Sequence, residues 1–522
     1  MPNLSDHDLR QMDPTWQQRQ PEDTVRGLLG RALDDLRQAR DRLNQGPTNS
    51  SRPSGSMEPW RGGGAAEAEV AAPQDGASTD SARGKDDEPG VKAPSSPKDS
   101  ADGAAPRGPG KPAGAAGFGR TQKIAFTETE CHRPLHCAAC GQPLDEQAPC
   151  SAWTGWDAIE LAGVPQALGL RLEVTRHLLM QQRCACGHLS RAEPHRAGDD
   201  RAWQGVAIGE QRLLGPRLAA VVVFLCLRMR LSRQRVRELM QVLFALDLSV
   251  GLIDQTVQQA ARAVAPLEMA IVGDIERAAL AHVDETGWRE AGRRLWLWVF
   301  VAPYTALYLI GARTAEMLDN TLGAAFAGVL MSDGYGVYRA RANRLRCWAH
   351  LLRKLRGLAE STDRRVAGAG SAMLGHFERL KHTVYDARGA DPPGPASAAA
   401  LAGVIEALRD LCERHRDDPH DKLRELGREF LLDWQVIMRP LAEPQLPLTN
   451  NAAERALRHY VIARRISHGT RTPVTSRGYA LLASVIETCR LRAASVIDLL
   501  AQAIDAARRG LPAPPLPAIP SV

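Results

Sequence analysis

Residues 281–311 read AHVDETGWREAGRRLWLWVFVAPYTALYLIG, and residues 328–335 read GVLMSDGY. The first stretch opens on a short apolar edge at His282–Glu285. A continuous apolar run follows at Leu295–Ala302, and a third run at Ala306–Ile310. Apolar runs of this length between turn and charged residues predict strands. Arg313 to about Phe326 predicts a helix, Gly328–Ser332 a buried strand ending at Asp333, and Leu345–Trp348 a fifth strand.

The resulting order, β-β-β-α-β-α-β, belongs to the α/β class. Three antiparallel strands followed by strand-helix alternation predict an RNase H-like catalytic core, a mixed five-stranded sheet with helices, whose first part spans residues 281–355. In such a core the first and fourth strands are neighbours, so Asp284 and Asp333 face each other. Two hard oxygen ligands that leave room for water and phosphate suit Mg²⁺. Two such ions about 4 Å apart hold the attacking and leaving oxygens of an in-line phosphoryl transfer. A third carboxylate is expected from a helix beyond the fifth strand. Glu454, in LTNNAAER at 448–455, is the candidate, but Glu360, Glu378 and Asp433 also lie on downstream helices. An Asp at a strand end also serves as a turn residue or helix cap; the pair in this topology is what favours a metal site.

The chain of 522 residues exceeds one compact core and implies two to four domains. Residues 22–45 predict a short zipper-like helix, with Leu29, Leu36 and Leu43 at heptad spacing; docking on its own protein is the alternative. Residues 46–120, rich in Gly, Pro, Ala, Ser and Asp, predict a disordered linker. Residues 205–280 are helical in period, and Leu231–Val264 resembles a helix-turn-helix pair for reading DNA, with its turn near Asp247. Residues 356–446 are helical again. Residues 447–510 add two more helical stretches and complete the core, before a loose Pro-rich tail at Leu511–Val522.

Six cysteines crowd a module at residues 128–197. Cys137 and Cys140 sit on one tight turn eased by Gly141, and with Cys184 and Cys186 they offer four thiolates to one structural Zn²⁺. His188 or His132 is a substitute ligand, and two pairs of buried thiols are the alternative.

Net charge is +6 and the pI near 8.8, only mildly basic, so charge distribution says more than its total. Arg455, Arg458, Arg464 and Arg465 recur at near-helical spacing after Glu454, followed by Arg471, Arg477, Arg490 and Arg492. Against them stand only Glu454 and Glu487 between positions 451 and 492, a pattern expected of a phosphate-binding track or of a solvated face. No run of eighteen apolar residues exists, so no membrane span is expected. The polar stretch Met1–Arg19 lacks a secretory signal, which points to the cytoplasm.

Three strings resemble the insertion sequence 66 family of DDE transposases: DETGWREAGRRLWLWVF at Asp284–Phe300, SDGYGVY…RCWAHLLRKL at Ser332–Leu355, and TNNAAERALRHYVIARR at Thr449–Arg465. Thr48–Ser54 (TNSSRPS) resembles the signature after that family's N-terminal zipper. The resemblance implies that Asp284, Asp333 and Glu454 are the catalytic carboxylates, holding two Mg²⁺ or Mn²⁺ ions. It also implies that the helical segment 356–446 interrupts the core, with His350 near the catalytic groups; Asn450 and Asn451, before Glu454, are expected to fix the start of its helix as caps, with Asn451 beside the site. The family's second cysteine pair is usually spaced CxxC, and Cys184-Ala-Cys186 is one residue shorter. The implied activity is cleavage at transposon ends and joining of the 3′-OH to target DNA. The implied partners are double-stranded DNA (terminal inverted repeats and target), a homo-oligomer and accessory proteins of the same element, in a nucleoid-associated protein when bound to DNA. The rival readings are a catalytically disabled or domesticated DNA-binding protein and a different RNase H-like nuclease, such as a junction resolvase.

Overall fold

The computed structural model describes residues 21–43, 124–163, 170–196, 205–323, 326–390 and 398–520. The linker expected at 46–120 and the signature at 48–54 lie outside the described residues.

One five-stranded sheet organises the molecule. Its strands are β5 (Leu280–Glu290), β6 (Arg293–Ala302), β7 (Thr305–Gly311), β8 (Val329–Ser332) and β9 (Arg344–Arg346), in the spatial order β7-β6-β5-β8-β9. β5, β6 and β7 form an antiparallel meander, and β8 and β9 add parallel to β5. The short apolar edge expected at His282–Glu285 is therefore an eleven-residue strand at the centre of the sheet.

Alternation along β6 divides the core, because successive side chains of a strand face opposite ways. Trp298 and Phe300 pack with the helices α2 (Pro216–Leu227), α4 (Val250–Ala263) and α14 (Val496–Arg509). Leu297, Val299 and Val301 pack with Ala453, Leu457 and Tyr460 of α12 (Asn451–Ser467). Both faces of this strand are buried, which is why it reads as one unbroken apolar run.

Helix α6 (Ala315–Leu322) joins β7 to β8. The helix expected between the fourth and fifth strands is instead a 3-10 turn at Gly336–Ala340, since only eleven residues separate the two strands. Trp348, expected in the fifth strand, opens helix α7 (Trp348–Ala359). A helical body follows: α8 (Arg364–Gly389), α9 (Ala398–Arg414), α10 (Asp421–Leu432) and α11 (Trp434–Ala442). It has its own core around Phe377, Leu408, Phe430 and Ile437.

After Pro447 there are three helices, α12, α13 (Pro473–Leu491) and α14, where two were expected. Thr472 caps α13 with a reciprocal hydrogen-bonded box, and Ser495 caps α14. The tail is extended but docked: Ala513 and Leu516 pack on the core, and the Pro517 carbonyl accepts from Arg492 at 2.5 Å.

Toward the N-terminus, α1 (Glu22–Leu43) leaves Leu29, Leu33 and Leu36 exposed, while its Asp41 accepts a 2.6 Å hydrogen bond from Ser361. Helices α3 (Arg233–Phe244) and α4 form the expected hairpin; Ala245 turns through φ 52° and Ser249 caps α4. Helix α5 (Glu268–Glu276) leads into β5. The cysteine module is a small sheet of β1 (Glu128–His132), β2 (Cys150–Ala162), β3 (Arg171–Arg183) and β4 (Leu189–Arg191), with β3 at its centre. Among the described residues no helix is long and apolar enough to cross a membrane.

Candidate active site and metal centres

The parallel ladder of β5 and β8 pairs Leu280 with Val329 and His282 with Met331. Carried two residues further, the same register brings Asp284 level with Asp333. The Asp333 Oδ1 accepts from the Tyr335 amide at 2.9 Å, which fixes the turn after β8. Asp284 caps its neighbour in the same way, accepting from the Glu285 amide at 2.9 Å.

Glu454 arrives from the first turn of α12. Its position is set by Asn450, which is fully buried. The Asn450 side-chain amide donates to the Val283 carbonyl at 2.7 Å, and its Oδ1 lies 3.0 Å from His282 Nδ1. Its backbone amide donates to the Cys347 sulfur at 3.2 Å. Asn450 therefore pins the start of α12 to β5 beside Asp284 and makes no side-chain cap of its own helix. Asn451, expected next to the catalytic groups, is exposed; its neighbour occupies that place.

Burial raises the Asp284 carboxyl well above its ordinary range, and the charges of Asp333, Glu285 and Glu454 raise it further. Glu454 Oε1 lies 3.2 Å from Arg353 Nη2 and 3.6 Å from His350 Nδ1. Burial, with Arg353, Arg346 and Lys354 nearby, depresses His350 to about 3, so this imidazole is neutral at physiological pH. His350 thus stands beside Glu454. Arg353 is a residue that the sequence reading does not single out, although it stands one helical turn from His350.

A second set of contacts holds the Asp333 loop. Glu285 is buried and bonded to Arg313 Nε at 2.8 Å and to the Tyr338 hydroxyl, while Arg313 stacks on Tyr335 with its guanidinium carbon 3.7 Å from the ring centre. Two of the other carboxylates left open by sequence are engaged elsewhere. Asp433 pairs with Arg344 at 2.7 Å and Arg346 at 3.1 Å, and Glu378 with Arg356 at 3.4 Å. Burial pushes the Asp433 carboxyl up, but the Arg344 hydrogen bond and the charges of Arg344 and Arg346 outweigh it and leave the group below its usual range. Glu429 pairs with Arg346 and Lys354, latching the helical body to β9. A Cβ at Gly334 would press on the Glu429 carboxylate and the Arg346 guanidinium and displace these side-chain ends.

The arginines separate into two kinds. Arg455, Arg458 and Arg465 are exposed. Arg464 is half-buried and donates to Thr286 Oγ1 at 2.8 Å and to the Gly287 carbonyl, so it braces β5 and is no member of an open track. Arg477, Arg490 and Arg492 are paired with Glu268, Glu487 and Asp274.

The family model described as Transposase IS66 family matches residues 211–477, just over half of the chain. This chain belongs to the IS66 transposase family. Asp284, Asp333 and Glu454 all fall within the matched range. Two similar proteins are the uncharacterized proteins y4qI and y4hP of Sinorhizobium fredii (strain NBRC 101917 / NGR234). The first is 27% identical over 255 residues, covering 43% of this chain and 46% of the relative. The second is 27% identical over 341 residues, covering 56% and 60%. The chain thus spans about half the length of these curated relatives.

The cysteine centre of this IS66-family chain lies N-terminal to the matched range. Its four sulfurs, on Cys137, Cys140, Cys184 and Cys186, lie within 4.8 Å of one another. The Cys137–Cys186 and Cys140–Cys184 separations are 3.6 and 3.7 Å. Zn–S bonds of about 2.3 Å give tetrahedral edges of about 3.8 Å, so the donor set fits zinc. The shortened second pair closes because Gly187 adopts φ 90° and its amide bonds the Cys184 carbonyl at 2.9 Å. The Cys140 amide holds the Cys137 thiol below its ordinary value, favouring the thiolate. Neither His188 nor His132 is needed to complete this set.

Proposed function

We propose that this chain is a DNA transposase that cleaves at transposon ends and joins the freed 3′-OH to target DNA. The reading is supported by Asp284 and Asp333 standing level at the ends of neighbouring strands, with Glu454 on the first turn of the helix that Asn450 fastens beside Asp284, in a member of a transposase family. The sheet order β7-β6-β5-β8-β9, antiparallel in its first three strands and parallel thereafter, supports an RNase H-like core that the helical body from residue 356 to 446 interrupts.

Carboxylates that raise one another's proton affinity call for a cationic counter-charge, and oxygen donors at a strand end suit Mg²⁺ or Mn²⁺. Asp284, Asp333 and Glu454 would hold two such ions, which when bound supply a nucleophile of lowered pKa and neutralise charge on the phosphate. Around them, Asn450 sets the reach of Glu454, Arg353 orients its carboxylate, and the Glu285–Arg313–Tyr338 cluster fixes the Asp333 turn. In cleavage a water oxygen attacks the scissile phosphorus in line, and the P–O3′ bond breaks to release a 3′-OH. In joining, that 3′-OH attacks a target phosphate and displaces a target 3′-oxygen.

DNA contacts come from the exposed Arg455, Arg458 and Arg465, and from the hairpin of α3 and α4. A cavity of about 820 Å³ between α4 and the α12–α13 connection is lined by Arg262 and Arg471, and by Arg233 and Arg477, whose charges are met by Asp254 and Glu268. Cys137, Cys140, Cys184 and Cys186 hold one structural Zn²⁺. A homo-oligomer acting with accessory proteins in the cytoplasm completes the reading.

The test uses duplexes carrying the DNA that flanks this gene, ending in a 3′-OH, with supercoiled plasmid and Mg²⁺. Covalent joining of the labelled 3′ end to plasmid is the expected product. Cutting without joining favours a nuclease of the same fold, and binding without cutting favours a disabled DNA-binding protein.

A further inference from the structure

The cysteine module carries a second cluster of metal-ligating groups that the cysteines do not use. Residues two apart on a strand share a face, so Glu130 and His132 project from the same side of β1. In the parallel ladder Glu130 is opposite His177 of β3, and Trp156 of β2 is opposite His177 on its other side. Glu130, His177 and Trp156 therefore form one row across three strands, with His132 next to it.

In that row His132 Nε2 lies 3.0 Å from His177 Nδ1, and Glu130 Oε2 lies 3.3 Å from the same Nδ1. One ligand atom from each of the three residues falls within 4.8 Å of the other two. Nitrogens bound at about 2.1 Å to one ion are separated by roughly 3.0–3.4 Å at right-angled to tetrahedral geometry, which matches. The Trp156 ring lies flat on His177, 4.4 Å between centres at 10°, and His132 lies nearly parallel beside them, 5.3 Å from His177 and 5.6 Å from Trp156, so both imidazoles are held in place. Their side chains are 14% and 17% exposed, while Glu130 at 56% leaves the site open toward solvent.

We propose that Glu130, His132 and His177 form a second metal site, for a divalent first-row transition ion of the zinc, cobalt or nickel type. Two imidazoles and one carboxylate are the borderline donors these ions take, and they are unlike the all-oxygen set that suits Mg²⁺. Its structural effect is to staple β1, an edge strand of five residues bound to the sheet only through β3, onto the module's centre. The site is independent of the catalytic reading, because it stands in a different sheet.

The test is metal content and Co²⁺ titration of the full-length protein, wild type against His132→Ala and His177→Ala. The wild type should bind one equivalent more than either variant. Glu130→Gln should retain the ion with weaker affinity. Intense sulfur-to-cobalt bands from the cysteine centre, unchanged in the variants, show that the module still folds. Equal metal content in wild type and His177→Ala, with those bands intact, overturns the proposal and leaves the two imidazoles sharing a proton. If the bands are lost, the milder His177→Gln variant is compared in the same way.

Discussion

The Asn450 side-chain amide donates to the Val283 carbonyl at 2.7 Å, so the residue that opens α12 is fastened to the residue before Asp284. Glu454 lies one helical turn beyond Asn450, and its main-chain amide donates to the Asn450 carbonyl at 3.1 Å. Two carboxylates distant in sequence thus owe their proximity to one buried amide. Asn450→Ala strands the Val283 carbonyl and the His282 ring, at a cost of about 1–3 kcal/mol. Thermal melting should show that loss, and Asn450→Asp should be worse than Ala because it sets an acceptor against an acceptor. Exposed Asn451→Ala should leave melting unchanged.

The raised Asp284 carboxyl predicts a pH dependence with a definite sign. A group whose folded pKa exceeds its unfolded value binds more protons when folded, so stability falls as pH rises from the ordinary carboxyl range through the raised value. Melting at low ionic strength without divalent ions should therefore fall over that window in the wild type, and less in Asp284→Asn. Mg²⁺ should restore stability above the window in the wild type only. A wild type and Asp284→Asn that respond identically to pH and Mg²⁺ would contradict the reading.

The exposed and braced arginines should part company in a salt titration. Arg455→Ala, Arg458→Ala and Arg465→Ala should each flatten the slope of log affinity against log salt by about 0.9 for every phosphate that the missing guanidinium neutralises in the wild type. Arg464→Ala should leave the slope alone and lower the melting temperature, because its partners are Thr286 and Gly287. Measuring both quantities on the same four proteins separates the roles.

Zinc at the four cysteines predicts that a strong chelator melts the cysteine module while the five-stranded sheet persists. Hydrogen exchange should show β1–β4 losing protection and β5–β7 keeping it. Uniform protection before and after chelation, with zinc removed, would show the ion to be dispensable.

The central sheet is legible in the sequence because its strands are buried runs, Leu295–Ala302 above all, and their spacing puts Asp284 and Asp333 on neighbouring strands. The second half of β5 is not, because Thr286–Glu290 carries no such run. It is extended through tertiary support, from Arg464 and from the α12–α13 connection, where Gly469 lets the backbone approach Arg289 and Thr470 bonds its carbonyl at 2.9 Å. Local capping logic points to Asn450 and Asn451 as helix starters and cannot tell which one turns inward. Cys184-Ala-Cys186 looks defective as a string because spacing does not reveal that Gly187 takes a positive φ. Arg464 looks like a member of a basic surface, and Arg353 does not stand out at all; which arginines are braced depends on partners roughly a hundred and more positions away.

The most direct test of the three-carboxylate site is the rate of Mg²⁺-dependent cleavage of DNA carrying this element's flanks by Glu454→Gln, beside Asp284→Asn and Asp333→Asn. Each variant should bind that DNA as the wild type does and cleave it at least about a hundredfold more slowly, the effect of about 2.7 kcal/mol in transition-state stabilisation. Cleavage by Glu454→Gln at the wild-type rate, with binding intact, would remove Glu454 from the site and contradict the account.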